Sequence, residues 1–283
     1  MPSRRGPFSR AVLAASVILD LDVDLGAAGV VLRGRPEIRV TWPECRTAVA
    51  DAEPNSETGR TRLAHWLQLR RWLADHRPDQ LAARARPFGV PAASPVHPGA
   101  RWVRGRVLGG TLELGIGFIG LDPDAPDLVQ PVAPEVLERA GIDAGHWWPN
   151  VAVYLERMGD AAADRLRRDP TAPLRPMGDC DVVTLLGSRA LRAAIAQSAA
   201  GGMQSVAVPT RDRGWIDLSR IDPAFAATAA QLTRAEDRGF ERPLLVTRDE
   251  VLLGRDGKGV LRAALDGRIV PRVEFRDVLY HPA

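Results

Sequence analysis

Lysine is almost missing from this sequence: of 38 basic residues only Lys258 is a lysine, and the remainder are arginine. Asparagine is as scarce, at Asn55 and Asn150 alone. Both residues have AT-rich codons, so the paired shortage points to a GC-rich, bacterial genome, and the arginine total by itself says nothing about partners. Cysteine occurs twice, at Cys45 and Cys180, without Cys-x-x-Cys or Cys-His spacing. That excludes a disulfide framework or a zinc module and fits a reducing cytosol. No stretch reaches the roughly 18 to 20 uncharged apolar residues that a membrane-spanning helix needs. The apolar run Ala11 to Leu19 follows Arg4-Arg5 like a secretory leader, but Asp20, Asp22 and Asp24 stand where its core would continue, and no small-residue cleavage site follows. A cytoplasmic protein without a membrane partner is expected.

Motifs that fix a reaction are lacking too. His65 and His76 are eleven residues apart, roughly 16 Å along a helix and too far to share a metal. Ser188 lacks the glycine two residues on that a nucleophile elbow requires. Gly115-x-Gly117-x-x-Gly120 has the letters of a dinucleotide fingerprint but lies inside a strand-like run, with Leu121-Asp122-Pro123 where a helix should open. Gly254 to Gly259 has neither the spacing nor the Ser/Thr of a P-loop, and Asp122, Asp124 and Asp127 lack the glycine and glutamate of an EF-hand. No cofactor or metal is implied.

What is present is an ordinary globular balance: 283 residues, 45% hydrophobic and 26% charged, enough for one large domain or two modest ones. Charge is distributed unevenly. Residues 1–106 carry a net +7 and residues 107–283 a net −4, and between Gly59 and Arg106 ten arginines face only Asp75 and Asp79. A basic partner surface, if present, belongs there.

Periodicity gives a mixed fold, α+β or α/β. Leu19, Leu21 and Val23 alternate with the aspartates, and Ile38, Val40 and Trp42 with Arg39 and Thr41, as strands do; Gly26 to Gly29 supplies the turn between. A helix is predicted from about Thr61 to His76. These form a basic β-plus-helix part over residues 1–86. Pro87, Pro91, Pro95 and Pro98 then read as a linker over 87–100, followed by an α/β part over 101–283. There, Thr111 to Leu121 reads as a buried strand, and Pro134 to Ala140 and Asn150 to Arg168 as helices. The run Asp181 to Leu186 reads as a strand, Ser188 as the N-cap of a helix through Ala199, and Ser205 to Val208 as a second, parallel strand: a βαβ unit. A helix is expected near Pro223. Asp256-Gly257 and Asp266-Gly267 mark the turns of a C-terminal antiparallel meander.

Three constellations could carry function. The first is the βαβ unit, since ligands collect outside the carboxyl ends of parallel strands, where helix N-termini offer free N–H groups. Gly187, Ser188, Arg189, Arg192, Arg211, Asp212 and Arg213 would converge there on a small anionic or phosphorylated ligand. The alternative is a capped helix with solvated arginines. The second is the row Asp20, Asp22, Asp24, three carboxylates on one strand face. An apolar strand followed by Asp20-x-Asp22 resembles, over residues 17–25, the opening motif of the haloacid-dehalogenase phosphotransferases, although Val23 and Asp24 replace the glycine and threonine common there. The resemblance implies a divalent metal; an exposed polar strand face opposite Arg33 and Arg39 is the plainer account. The third is the arginine-rich segment. On a helical wheel Leu63, Trp66, Leu67, Leu73 and Ala74 form one face with Arg70 inside it, while Arg60, Arg71 and Trp72 face away. With Arg77 they could bind nucleic acid by phosphate contact and stacking. His146-Trp147-Trp148-Pro149 reads as the docked start of a helix. The leading expectation is anion binding at the βαβ loops, ahead of nucleic-acid binding through residues 59–106 or a non-catalytic interaction protein.

Overall fold

Proline and glycine punctuate the chain so closely that the elements between them are mostly short. The computed structural model describes residues 6–94, 97, 102, 104–122, 125–132, 134–216 and 223–253. They fall into two units, one comprising residues 1–84, 121–124 and 135–142, the other 85–120, 125–134 and 143–283.

The first unit opens with α1 (Pro7–Ile18), which turns at Asp20, where φ is 51°. The strand expected from Leu19 therefore begins only at Val23: β1 (Val23–Leu25), β2 (Gly29–Leu32) and β3 (Ile38–Thr41) form an antiparallel sheet in that order. The β1–β2 turn closes where the Gly26 N–H donates to the Gly29 carbonyl at 2.8 Å. In β3 Ile38 and Val40 are buried while Arg39 and Thr41 face water, as the alternation predicts. Trp42 does not continue it. Thr41 and Glu44 cap each other reciprocally and start α2 (Trp42–Val49) instead. Ser56 caps α3 (Glu57–Asp75) by accepting the Gly59 N–H at 3.0 Å, and α4 (Pro78–Arg84) follows. Ala11, Val12 and Ala15 pack with Val30, Leu32, Val40, Leu63 and Leu67 as the core. All but the first residue of α5 (Pro134–Arg139) belongs to this unit.

The second unit begins at Ala85, and its first strand runs into the stretch expected to be a linker. Ala85–Pro91 is β4, paired along its whole length with β6 (Leu112–Phe118); β5 (Arg104–Leu108) lies on the other side of β6, and β7 (Gln130–Pro131) also pairs with β6. Proline is tolerated because β4 is an edge strand. Pro87, Gly89 and Pro91 share one parity, and Gly89 turns its N–H and carbonyl outward, to Thr184 Oγ1 at 2.9 Å and from Arg211 Nη2 at 2.7 Å. Of the four positions with this parity in β4, Pro87 and Pro91 thus have no N–H to satisfy and Gly89 is capped.

Beyond lie α6 (Trp148–Arg168), α7 (Val182–Leu185), α8 (Arg189–Gln197), β8 (Met203–Thr210), β9 (Arg213–Trp215), α9 (Pro223–Leu232), β10 (Leu244–Thr247) and β11 (Val251–Leu253). The mixed α-and-β class holds, but the βαβ unit does not exist. Within Asp181 to Leu186, Val182–Leu185 forms α7, and β8 pairs antiparallel with β9 and β10 in the order β11-β10-β8-β9. Val182 to Leu186 are all buried, so the run shows no polar face that would reveal a helical period, and Asp181 starts the helix by accepting the Thr184 N–H at 2.7 Å. β10 and β11 form an antiparallel hairpin whose turn, between Thr247 and Val251, is not one of those expected for the meander; the turns at Asp256-Gly257 and Asp266-Gly267 lie outside the described residues. The core gathers Leu112, Leu114, Leu155, Leu166, Val182, Leu185, Ile195, Val206 and Val246. Among the described residues no helix is long and apolar enough to cross a membrane.

A half-buried carboxylate and two buried thiols in these units each give a prediction. Burial pushes the Glu44 carboxyl up, but the Thr41 N–H at 2.7 Å, the Thr41 hydroxyl and the Arg70 and Arg139 guanidinium groups outweigh it and hold the carboxyl below its ordinary value. A depressed carboxylate stabilises the fold above its ordinary pKa and loses that contribution as pH falls through the folded value. Glu44→Gln should cost about 1–3 kcal/mol at neutral pH in denaturant titration, with the difference from wild type shrinking below about pH 4. In addition, Cys45 and Cys180 are both buried, and burial first, then neighbouring carboxylates, pushes their thiols up to about 11 and about 12. A thiol reagent at mildly alkaline pH should label neither cysteine in the native protein and both after denaturation.

Candidate functional site

Helix α8 begins at Ser188, whose hydroxyl accepts the Leu191 N–H at 3.4 Å, as its sequence predicts. The same hydroxyl donates to Glu156 Oε2 of α6 at 2.8 Å. Glu156 also accepts the Arg189 N–H at 3.0 Å and the Ala190 N–H at 3.3 Å. The helix N-terminus that the sequence offered to an anion is therefore filled by the protein's own carboxylate. Gly159 of α6 makes this approach possible: a Cβ there would lie 1.8 Å from Ser188 Oγ.

The other residues of the expected site have structural partners. Gly187 is buried against Leu114, whose methyl groups would lie 2.5 Å from any added Cβ. Arg192 is 2% exposed, and its Nη1 donates to the carbonyls of Leu186 at 2.9 Å and Gly187 at 2.7 Å while Nε donates to that of Arg248 at 3.2 Å. It ties the end of α7 to the β10–β11 turn. Burial, reinforced by the charge of Arg106, lowers its pKa to about 10, against the opposing pull of Glu156, Asp249 and Glu250, so it remains a cation at neutral pH. Arg211 bonds Asp181 Oδ2 through Nε at 2.6 Å and the Gly89 carbonyl through Nη2, and its guanidinium lies 4.5 Å over the Phe88 ring. Asp212 accepts the Thr210 hydroxyl at 2.6 Å. Arg213 lies over Trp215, with its Nε buried and without a hydrogen-bond partner.

Only Arg189 of these seven reaches an open cleft, of about 550 Å³, lined also by Arg106 of β5, Glu156 of α6, Ala190, Ala193 and Gln197 of α8, and Arg248 in the β10–β11 turn. Arg189 meets Asp249 at 3.6 Å, with both side chains exposed. The side chains of Arg106 and Arg248 meet no acceptor among the described residues. Sequence reasoning missed both. Arg106 belonged to the arginine-rich segment and Arg248 to a turn, and nothing local marks residues 142 positions apart as neighbours.

The other two constellations dissolve. Asp20 sits in a turn, Asp22 precedes β1, and Asp24 pairs with Arg33, so the aspartates form no row on one strand. Among the described residues no group of three metal-ligating side chains occurs, and the apolar residues before Asp20, where the phosphotransferase resemblance needs a strand, are the end of α1; β1 starts only after the motif, at Val23. In α3, Trp72 is buried beside His76, with ring centroids 4.7 Å apart, and offers no stacking surface. Arg71 bonds Asp75 and the Pro36 carbonyl, Arg77 pairs with Asp79 at 3.0 Å, and Arg60 is exposed. Arg70, the cation inside the apolar stripe, pairs with Glu44 at 3.5 Å and lies over Trp66. Trp147 packs edge-on against Phe118, as a docked helix start should.

Comparison of the chain with protein-family models, curated proteins and solved structures finds no match.

Replacing a helical glycine with alanine ordinarily gains about 1 kcal/mol. Gly159→Ala should do the reverse, destabilising by about 1–3 kcal/mol because the methyl group displaces the Ser188 cap and the Glu156 bonds behind it. Thermal unfolding of the variant reads the sign directly, and an increase in Tm would remove the close α6–α8 approach from the account.

Proposed function

We propose that this protein binds a small anionic ligand, a phosphate ester or a carboxylate, in the cleft formed by β5, α8 and the β10–β11 turn. The observation that carries the reading is the convergence on one cleft of two guanidinium groups, Arg106 and Arg248, that meet no acceptor among the described residues, beside a third, Arg189. The Arg189–Asp249 pair is exposed and so contributes little, and it yields readily to a better acceptor. Glu156, the acidic residue of the lining, has its oxygens turned to the start of α8. Buried Arg192 adds positive potential from below without needing the ligand to hold it in place. Guanidinium forks match phosphate and carboxylate oxygens in pairs. The cleft volume falls within the range of small-molecule sites, about 300–1,000 Å³.

The site of the anion differs from the sequence expectation in a specific way. It is not the α8 N-terminus, which Glu156 occupies, but the solvent-facing side of the same helix.

Isothermal titration with inorganic pyrophosphate tests the reading. Wild type should bind with an affinity that falls as salt is raised, and Arg106→Ala/Arg248→Ala should bind at least about tenfold more weakly while keeping its circular dichroism. Equal affinity in the two proteins would place the anion elsewhere.

A further inference from the structure

The cleft is not the same at its two ends. Arg189, Ala193 and Gln197 recur every four residues along α8, with Ala190 beside them, so the cleft follows the helix for roughly 12 Å. Its cations gather where α8 begins. Arg189 is the first helical residue, Arg192 holds the Arg248 carbonyl at 3.2 Å, and Arg106 is close enough to Arg192 to depress its pKa. At the other end Gln197 is exposed, with an amide that bonds to no described residue. An amide of this kind offers two donors and an acceptor and no charge. Between the two ends the α8 side of the cleft carries only the methyl groups of Ala190 and Ala193.

This polarity narrows the ligand class. A bare polyanion such as pyrophosphate would use the arginine end and leave the rest of the cleft to water. A dicarboxylate would place its second charge at Gln197, where no cation waits. A long alkyl chain would find an open surface ended by a polar amide. A charged head, a flat body to lie on two alanines and a hydrogen-bonding far edge match all three zones.

We propose that the ligand is a nucleoside phosphate. Its phosphate lies among Arg106, Arg189 and Arg248, its base rests over Ala190 and Ala193, and its base edge pairs with the Gln197 amide, which has the geometry for a two-bond contact with adenine. The inference rests on the anion-binding reading above and adds the neutral half of the ligand to it.

The test separates the two. The four ribonucleoside 5′-monophosphates, ribose 5-phosphate and inorganic phosphate are each titrated calorimetrically into the full chain, as wild type, Gln197→Ala and Arg106→Ala/Arg248→Ala. At least one nucleotide should bind about tenfold tighter than ribose 5-phosphate. Gln197→Ala should erase most of that difference, about fivefold, and leave ribose 5-phosphate unchanged, while the double arginine variant weakens both ligands. Equal affinity of wild type for ribose 5-phosphate and every nucleotide would overturn the nucleoside and leave the anion site standing. An undiminished nucleotide preference in Gln197→Ala would overturn the placement of the base. No binding of any of these ligands by wild type would overturn both readings. A short single-stranded oligoribonucleotide added as a further arm should bind no tighter than the mononucleotide; a gain of more than about tenfold would assign the cleft to a polymer instead.

Discussion

Everything about the candidate site depends on one carboxylate at the start of one helix. The first N–H groups of a helix have no partner within it, and at the start of α8 two of them are met by Glu156 of α6. Glu156 meets the Ser188 hydroxyl and the Arg189 and Ala190 N–H groups together, and its charge also suits the positive end of the helix dipole. The contact fixes α8 in rotation as well as position. Leu191 and Ile195 then face the core, and Arg189, Ala193 and Gln197 face the cleft. The absence of a side chain at Gly159 is the steric condition for all of it.

Arginine does structural work in this chain that lysine does not do, and the near absence of lysine makes this visible. Arg192 spreads its donors over three carbonyls, two at the end of α7 and one in the β10–β11 turn. Arg211 bonds a carboxylate and a carbonyl at once while stacking on Phe88, a combination that needs a planar fork. Arg70 joins α3 to Glu44 while lying over the Trp66 ring. The cleft arginines differ: Arg189 has only an exposed contact with Asp249, and Arg106 and Arg248 meet no acceptor among the described residues.

Much of the local structure was legible in the residues. Ser188 reads as a cap and is one; the Gly26 to Gly29 turn, the strand around Gly115 and the helix at Pro223 also stand close to where their patterns put them, and the helix expected from about Thr61 starts four residues earlier, at Glu57. Two elements were not legible, for opposite reasons. Val182 to Leu186 is buried on every side, which removes the polar face that distinguishes a helix from a strand, and the β-branched residues then favour the wrong choice. Pro87 and Pro91 suggest a chain that cannot pair, yet an edge strand needs to pair on one side only, and which strand is an edge is a property of the sheet.

The sequence by itself determined the mixed class, the caps and turns, and the presence of an arginine surplus toward the N-terminus. These depend on neighbours within a few residues, where steric and hydrogen-bonding preferences act directly. Only the tertiary structure decided that Arg211 and Arg192 serve the fold, that Trp72 is buried, and that Arg106 and Arg248 share a cleft with Arg189. Each of these turns on which distant segment arrives beside a side chain. A buried acceptor converts an arginine into a strut, and its absence leaves a charge free to meet a ligand, a difference that the residue's own sequence neighbourhood does not encode.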